Sequence, residues 1–308
     1  MDCRVRPLQE SDLSRAEEII KISFSKQLGY PDPALFGNGA VWTTRFRTDP
    51  DGVFGAEIDG ELVGVIFAIA WGSFGFFGPL CVLPDYWGQG VAQKLLKPIM
   101  DYFKTRKVTH SGLFTFSNSP KHICLYQKFG FEPRFLTATL IKKVPAEKSN
   151  REWLAYGSLP PEQKAPWLDS ARALTGFIYK GLDVEREIQT VEHFDIGETV
   201  FVRSGSDVSG IAVCHTGAGS EAEQGGVYIK FAAAKDEESF SRLIESCESM
   251  AQEKNAQIIV TGVNTARVEA YKDLLSRDYA IRTLGVAMEQ HGSTGFNCAG
   301  VYVLDDWR

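Results

Sequence analysis

The chain has 308 residues, of which 44% are hydrophobic and 23% charged, so it is long enough for two globular domains and too apolar for a disordered chain. A net charge of −6 argues against general nucleic-acid binding, which needs concentrated Lys and Arg. Six scattered cysteines without a C-x-x-C pair favour neither a metal centre nor a disulfide framework, and they suit a reducing compartment. The polar N-terminus and the absence of about 18 consecutive apolar residues predict no signal peptide and no membrane span. We therefore expect a cytoplasmic protein without a nucleic-acid or membrane partner.

The first elements are a short strand at 3–8 and a helix that Ser11 or Asp12 can cap. A Gly/Pro-rich, aromatic stretch at 24–51 follows. Two interpretations of it stay open: a functional surface segment, or a helix and loops packed over the sheet. Asp59-Gly60 is a strong two-residue turn signal, and it predicts a hairpin between the alternating runs that flank it.

The most informative stretch is 76–96, with the sequence FFGPLCVLPDYWGQGVAQKLL. It predicts a buried strand at 76–83, a glycine-rich turn, and a helix whose apolar residues recur with a period of about 3.6 residues. Gly88 and Gly90 let the backbone turn tightly and approach a ligand closely. The free amides and the dipole at the start of the helix favour an anion there, so the turn is a candidate diphosphate site.

A dinucleotide-binding G-x-G-x-x-G motif is one interpretation of this turn, but Gln93 stands where the third glycine is required. No acidic residue about 20 positions later lies on an obvious second strand, as that motif needs. A nicotinamide or flavin oxidoreductase is therefore disfavoured.

Further along the first half, a strand is predicted at 111–116 and a last strand at 135–142. Between them lies a helix, with Pro120 in its first turn and Gly130 at its C-terminal stop.

Two motifs together resemble the GNAT acetyltransferase superfamily over residues 1–143. The first is the pyrophosphate loop [Q/R]-x-x-G-x-[G/A], which maps onto 87–92 with Trp87 in place of Gln or Arg. The second runs from Asn118 through Leu125-Tyr126 to Gly130-Phe131. The resemblance implies an α/β (α+β mixed sheet) fold with a mostly antiparallel central sheet, a splayed strand pair and flanking helices.

The resemblance also implies a set of site residues for acetyl-CoA as co-substrate, with no metal. Tyr126 would donate a proton to the departing CoA thiolate, and Asn118 would contact the co-substrate from the end of the next strand. Backbone groups would hold the pantetheine arm at Cys81, Val82 and Leu83. Backbone amides would hold the diphosphate at Gly88, Gln89, Gly90, Val91 and Ala92.

The general base is not identified by the resemblance, because the strand at 76–83 carries no carboxylate. Asp85 is close in sequence and Glu57 lies on an earlier strand, so both are candidates. A substrate amine that is already deprotonated, or a chain of waters, remains an alternative.

The second half follows a polar linker at 144–150. It is predicted to hold two helices between 151 and 180, a hairpin, and then alternating strands and helices from 227 to 303. This order repeats that of the first half, with Asn264 and Tyr271 in the positions of Asn118 and Tyr126. The counterpart of the glycine loop, 232–238, has no glycine and three carboxylates, which repel phosphate. We therefore predict a GNAT domain at 1–143 and a degenerate GNAT-like domain at 151–308.

These observations predict an N-acetyltransferase that transfers an acetyl group from acetyl-CoA to an amine by direct attack in a ternary complex. The alternative is a non-catalytic acyl-CoA-binding sensor or interaction protein on the same fold. The acceptor, a small-molecule or peptide amine, and the acyl length both stay open. The second half is expected to pack on the first, to close the substrate cleft, or to pair with another copy in a homodimer.

Overall fold

The computed structural model describes residues 2–33, 40–145, 153–290 and 294–307. Residues 34–39 of the aromatic stretch and 146–150 of the predicted linker lie outside the described residues.

Thirteen strands form within the described residues, in chain order β1 Cys3–Pro7, β2 Val53–Ile58, β3 Glu61–Trp71, β4 Phe74–Val82, β5 His110–Thr115, β6 Phe131–Lys143, β7 Leu154–Ala155, β8 Gly197–Ser204, β9 Asp207–Thr216, β10 Gly226–Ala234, β11 Ile258–Asn264, β12 Ala280–Gln290 and β13 Tyr302–Leu304. The predicted hairpins are present as β2–β3 and β8–β9, because each has a tight turn between runs that bury one face.

Eight α-helices form in the same part of the chain: α1 Leu13–Leu28, α2 Val41–Thr48, α3 Val91–Thr105, α4 Pro120–Gln127, α5 Pro161–Ile178, α6 Glu185–His193, α7 Glu237–Glu253 and α8 Val268–Ser276. The prediction of two helices at 151–180 is wrong. One helix, α5, continues through Pro166, which removes one backbone hydrogen bond near its start. The sequence gives no signal for α6, whose buried Glu187 depends on partners from distant strands.

The strands form a single mixed, mostly antiparallel sheet, which confirms the predicted α/β fold class. Their order is β1-β2-β3-β4-β5-β12-β6-β11-β10-β9-β8-β7, and β13 pairs with β10. The sequence predicts one sheet in each half, whereas the structure joins the two halves. β12 from the second half lies between β5 and β6, and β6 from the first half pairs with β11. The boundary predicted at residue 143 therefore falls at the end of a strand shared by both halves.

The sheet curls so that its two halves face each other. Trp71 on β3 and Phe231 on β10 have ring centroids 5.2 Å apart, although five strands separate β3 from β10 in the sheet order. Neighbouring strands lie about 4.8 Å apart, so a flat sheet would keep these rings more than 20 Å apart. The enclosed core contains Trp71, Phe74 and Phe76 from the first half and Ile211, Phe231 and Val303 from the second. Burial of this apolar surface stabilises the contact between the halves.

The same order of elements occurs in both halves. β4 and β5 are parallel and connected through α3, and β10 and β11 are parallel and connected through α7. Each pair is followed by one more helix and an antiparallel strand, first α4 and β6, then α8 and β12.

Candidate active site

The candidate site begins where β4 separates from β5. The two strands pair from Phe74 opposite His110 to Phe77 opposite Leu113, and β4 then continues to Val82 paired with β3 but not with β5. A bulge in β4 between Phe77 and Leu80 redirects the strand at this point. A cavity of about 1060 Å³ opens there, lined by residues of β4, β5, α1, α3 and α4 and by residues of the second half.

Only part of the predicted pantetheine-binding strand faces this gap. The Leu83 amide donates to the Val63 carbonyl over 2.9 Å, and Cys81 is paired with Val65. In an antiparallel ladder the intervening Val82 then points its N–H and C=O away from β3, towards the gap. This corrects the expectation that Cys81, Val82 and Leu83 all present backbone groups to the ligand. Leu83 is also not a wall residue of the cavity, whereas Cys81 and Val82 are.

The Val82 carbonyl already has two donors in the protein. Ser23 Oγ donates to it over 2.9 Å, and Trp87 Nε1 donates over 2.6 Å. A carbonyl oxygen has two lone pairs, so both are used. The Val82 amide is consequently the group of this residue that is suited to a ligand.

The glycine loop has the conformation that its sequence predicts. Gly88 and Gly90 have φ values of 77° and 79°, in the left-handed region, and a Cβ atom at either would meet no other heavy atom within 4 Å. Such open space above the loop leaves room for a ligand. Gly90 is followed directly by α3, and the cavity wall includes Gly88, Gly90, Val91 and Ala92. Gln89 is exposed and is not a wall residue; its side chain donates to the Asp85 carbonyl.

Trp87, which departs from the family pattern, has two structural roles. Its indole fixes the Val82 carbonyl, and Lys121 Nζ lies 4.2 Å from the centroid of its ring. Trp87 and Lys121 both line the cavity, as does Lys128. The cationic side chain of Lys121 on α4 therefore stands beside the loop that the sequence predicts to bind a diphosphate.

Tyr126 lies on the same cavity, on α4, with only 7% of its surface exposed. Its ring packs edge-on against Phe77 with centroids 5.6 Å apart. Within the described residues its hydroxyl has no hydrogen-bond partner. Burial raises the pKa of Tyr126, with a smaller effect of nearby Cys81, so the hydroxyl keeps its proton at neutral pH.

Three other predicted residues do not lie on the cavity wall. Glu57 forms an ion pair with Arg6 (2.6 Å between Oε1 and Nε) on the edge strands. Asp85 is exposed in the turn Pro84–Tyr86, and Asn118 is exposed in the turn before α4. The structure thus separates both proposed bases from the gap, because the side chain of Glu57 already has its partner and that of Asp85 is in solvent.

The second half of the chain closes the opposite end of the cavity. The loop between β9 and β10 reaches α2, where the Ala40 amide donates to the Ser220 carbonyl over 2.8 Å. This half contributes these wall residues: Glu221, Glu223, Gln224, Tyr228, Arg282 and Thr283. The Tyr228 hydroxyl donates to Asp306 Oδ1 over 2.9 Å, and Glu223 forms an ion pair with Arg282.

Glu221 belongs to a buried charge cluster between the halves. Its Oε1 accepts from Thr44 Oγ1 over 2.9 Å and from Lys230 Nζ over 2.5 Å, and Lys230 also pairs with Glu187 Oε2 at 3.1 Å. Burial opposes ionisation of Glu221, but Lys230 and Arg45 outweigh it and hold the pKa of this carboxyl at about 2. Glu221 is therefore ionised throughout the neutral range and is too weak a base to remove a proton from an ammonium group.

A family model for the GNAT acetyltransferases matches residues 16–131, the segment that holds the glycine loop, the gap and Tyr126. Residues 16–131 are a GNAT acetyltransferase domain. A comparison with curated proteins finds no match.

Solved structures share the fold over almost the whole chain. A protein from Pyrococcus horikoshii that is assigned as an acetyltransferase has a TM-score of 0.69 at 14% identity, covering 97% of this chain and 93% of its own. A GCN5-related N-acetyltransferase from Sphaerobacter thermophilus has a TM-score of 0.62 at 11% identity, covering 94% and 95%. The N-myristoyltransferase of Saccharomyces cerevisiae, solved with myristoyl-CoA, also has a TM-score of 0.62, at 10% identity, covering 94% and 78%. At these identities the likeness concerns the fold.

The second half differs from the GNAT domain at the point where the gap would be. β10 leaves β11 after Ile229, but β13 then pairs with β10 from Ala232 to Ala234 and occupies the space. At the start of α7, the Asp236 side chain accepts from the Ser239 amide over 2.8 Å. A strand of the chain itself and a capping carboxylate thus take the positions that the GNAT domain leaves open.

Within the described residues, no group of three His, Cys, Asp or Glu side chains is arranged to hold a metal ion. In the same part of the chain, no helix has the length and apolar character needed to cross a bilayer.

Proposed function

We propose that the protein is an N-acetyltransferase, with acetyl-CoA bound in the gap of the GNAT domain and an amine entering from the side closed by the second half. One observation carries this proposal: the open glycine loop, the stretch of β4 that β5 leaves unpaired, and Tyr126 all line one continuous cavity. A nucleophile and a thioester held together in such a space react as if in one molecule, which lowers the entropic part of the barrier.

The direct reaction needs three functions from the chain. The Val82 amide is suited to donate to the carbonyl oxygen on which negative charge develops when the amine nitrogen attacks. Tyr126 gives its proton to the sulfur as the carbon–sulfur bond breaks. The attacking nitrogen loses one proton to water, and that proton restores the Tyr126 hydroxyl, so the products are the amide and the CoA thiol.

No carboxylate of the described wall is suited to be the base. Asp85 and Glu57 are off the wall, Glu221 holds its charge against Lys230, and Glu223 is paired with Arg282. We therefore assign the removal of the amine proton to water, the alternative that needs no carboxylate in the gap.

The second half is assigned the role of a degenerate GNAT-like copy that closes the cleft. The repeated order of elements supports this interpretation, and β13 in its gap explains why one co-substrate site serves the whole chain. All six cysteines are free thiols, which supports the cytoplasmic location that we propose.

The test is calorimetric titration of acetyl-CoA into the wild type, Gly90→Ala and Gly90→Glu. Both substitutions bear the same left-handed backbone strain, at a position where no heavy atom lies within 4 Å of the new Cβ, and only Glu adds a charge above the loop. We expect Gly90→Ala to keep measurable binding and Gly90→Glu to lose it. Release of the CoA thiol across a panel of primary amines then tests turnover.

Equal binding by Gly90→Ala and Gly90→Glu would place the co-substrate elsewhere and overturn the proposal. Binding without thiol release from any amine would instead identify an acyl-CoA-binding sensor on the same fold.

A further inference from the structure

The cavity continues beyond the reaction centre into a polar pocket that the GNAT domain does not complete by itself. Its far wall is built by β6, β10, β12 and the loop between β9 and β10, and includes Thr139, Tyr228 and Glu221. Since acetyl-CoA is assigned to the end with the glycine loop, this far end is left for the acceptor.

Two wall residues hold polar atoms that lack a partner within the described residues. Thr139 is 2% exposed, and its Oγ1 has no hydrogen-bond partner. Glu221 uses Oε1 for both Thr44 and Lys230, and no described group donates to its Oε2. Burying a hydroxyl without a hydrogen bond is costly, so a ligand group that bonds Thr139 recovers this free energy on binding.

The charges on the cavity wall are separated along its length. Lys121 and Lys128 lie at the α4 end, and Glu221 and Glu223 lie at the far end. Arg282 is also at the far end, but it forms an ion pair with Glu223. Phosphates are therefore favoured at the α4 end, and the paired carboxylates at the far end favour a hydrogen-bond donor.

Much of the remaining wall is apolar, although α1 also contributes Ser23 and Gln27. α1 and α2 contribute Ile20, Phe24 and Trp42, with Tyr30 just after α1. Such a surface favours an aromatic or alkyl body over a chain of polar backbone groups, since a peptide would bury amides with few partners there.

We propose that this pocket binds the acceptor, and that the acceptor is a small primary amine carried on an apolar body, with its nitrogen held by Glu221 and Thr139. The inference rests on the proposed function and deepens it. Because Lys230 and Arg45 balance the charge of Glu221, hydrogen-bond geometry rather than net attraction selects the amine. Glu221 and Thr139 are thus specificity-determining residues, one of them supplied by the second half.

The test measures steady-state acetylation of phenethylamine, with 3-phenylpropionate as the matched carboxylate competitor and a tripeptide with a free N-terminus as the second substrate class. Thr139→Val is expected to raise KM for phenethylamine about fivefold, as for one hydrogen bond, and Glu221→Gln about 10-fold or more. KM for acetyl-CoA should stay within twofold in both variants, because neither residue lies near the glycine loop.

Matched controls separate binding from structural damage. Thr199→Val removes another buried hydroxyl without a partner, and Glu248→Gln changes a carboxylate that is paired with Lys142 and does not touch Lys230; neither residue lies on the cavity wall. Both controls should leave KM for phenethylamine unchanged. Where Glu221→Gln fails to fold, Thr139→Val, which leaves no protein group unpaired, decides the question.

Three results would each overturn the inference while the proposed function stands. The first is an unchanged KM for phenethylamine in Thr139→Val and Glu221→Gln. The others are inhibition by 3-phenylpropionate as strong as the binding of phenethylamine, and faster acetylation of the tripeptide than of phenethylamine. Acetyl-CoA binding without thiol release from any amine would end the proposed function instead. The inference is then decided by thermal shift in the presence of CoA, where phenethylamine must stabilise the wild type more than Thr139→Val.

Discussion

The charge cluster between the halves leads to a prediction about stability. Lys230 is 3% exposed and touches Glu187 Oε2 at 3.1 Å and Glu221 Oε1 at 2.5 Å, and both carboxylates are buried. Replacement of Lys230 by Met keeps an unbranched side chain that is shorter by one heavy atom, and it leaves the two carboxylates without their shared cation. Removing one partner of a buried pair costs about 3–5 kcal/mol, because an uncompensated charge stays in the core.

The pKa of Glu221 gives an independent magnitude. Its pKa falls from an ordinary 4.5 to about 2, with Lys230 the strongest of the charges that lower it. This difference, at about 1.36 kcal/mol per pKa unit, corresponds to about 3 kcal/mol as the net effect of burial and of the neighbouring charges, Lys230 foremost. The free energy of unfolding of Lys230→Met should therefore be lower than that of the wild type by about 3–4 kcal/mol at pH 7.

The pH dependence has a definite sign. A depressed carboxyl pKa stabilises the wild type above pH 4.5, and this contribution is lost as pH falls from 4.5 towards 2. In Lys230→Met the carboxylates without a cation protonate more readily, so the deficit relative to the wild type should shrink on acidification. Urea unfolding followed by tryptophan fluorescence at pH 7 and at about pH 4.5 measures both effects.

Lys235→Met is the control, since Lys235 is exposed just after β10 and should change stability by no more than about 0.5 kcal/mol. A loss below about 1 kcal/mol for Lys230→Met at pH 7, or a deficit that grows on acidification, would refute the argument that this ion cluster ties the halves together.

Three further predictions concern the reaction centre, the C-terminal strand and a buried carboxyl. Tyr126→Phe should lower kcat by about 100-fold with acetyl-CoA affinity unchanged, measured by thiol release and calorimetry; an unaltered kcat would remove Tyr126 from the reaction. Leu304→Ala, in a fully buried position of β13, should lower the free energy of unfolding by about 2–5 kcal/mol in urea, and a loss below 1 kcal/mol would show that β13 is not needed to fill its gap. Burial raises the pKa of Glu289 to about 7, so the stability that its protonated carboxyl contributes is complete below pH 4.5 and is lost as pH rises through 7. The free energy of unfolding of the wild type should therefore fall by about 3 kcal/mol relative to Glu289→Gln between pH 4.5 and 8. Parallel pH profiles of the two proteins would contradict this assignment.

The sequence alone determined the local parts of the GNAT domain. Three features depend only on residues that are close together in the chain, so the local sequence sets their conformations. They are the turn with Gly88 and Gly90, the amphipathic helix α3, and the turn at Asp59-Gly60. Tyr126 and the wall residues of the loop could be predicted for the same reason, because they belong to a short motif on one helix and one turn.

Only the tertiary structure decided which side chains face the cavity. Asp85 is a candidate base because it is close in sequence, and Glu57 because it lies on an earlier strand, but neither lies on the wall: Asp85 is in solvent and Glu57 is paired with Arg6. Glu221 and Thr139 gave no signal in the sequence, since they reach the cavity through strand pairings between residues far apart in the chain. Long-range pairing and shared burial also decide three features of the sheet, and no local pattern encodes them. These are the pairing of β6 and β12 across the two halves, the curl that brings Trp71 to Phe231, and the position of β13 in the gap of the second half.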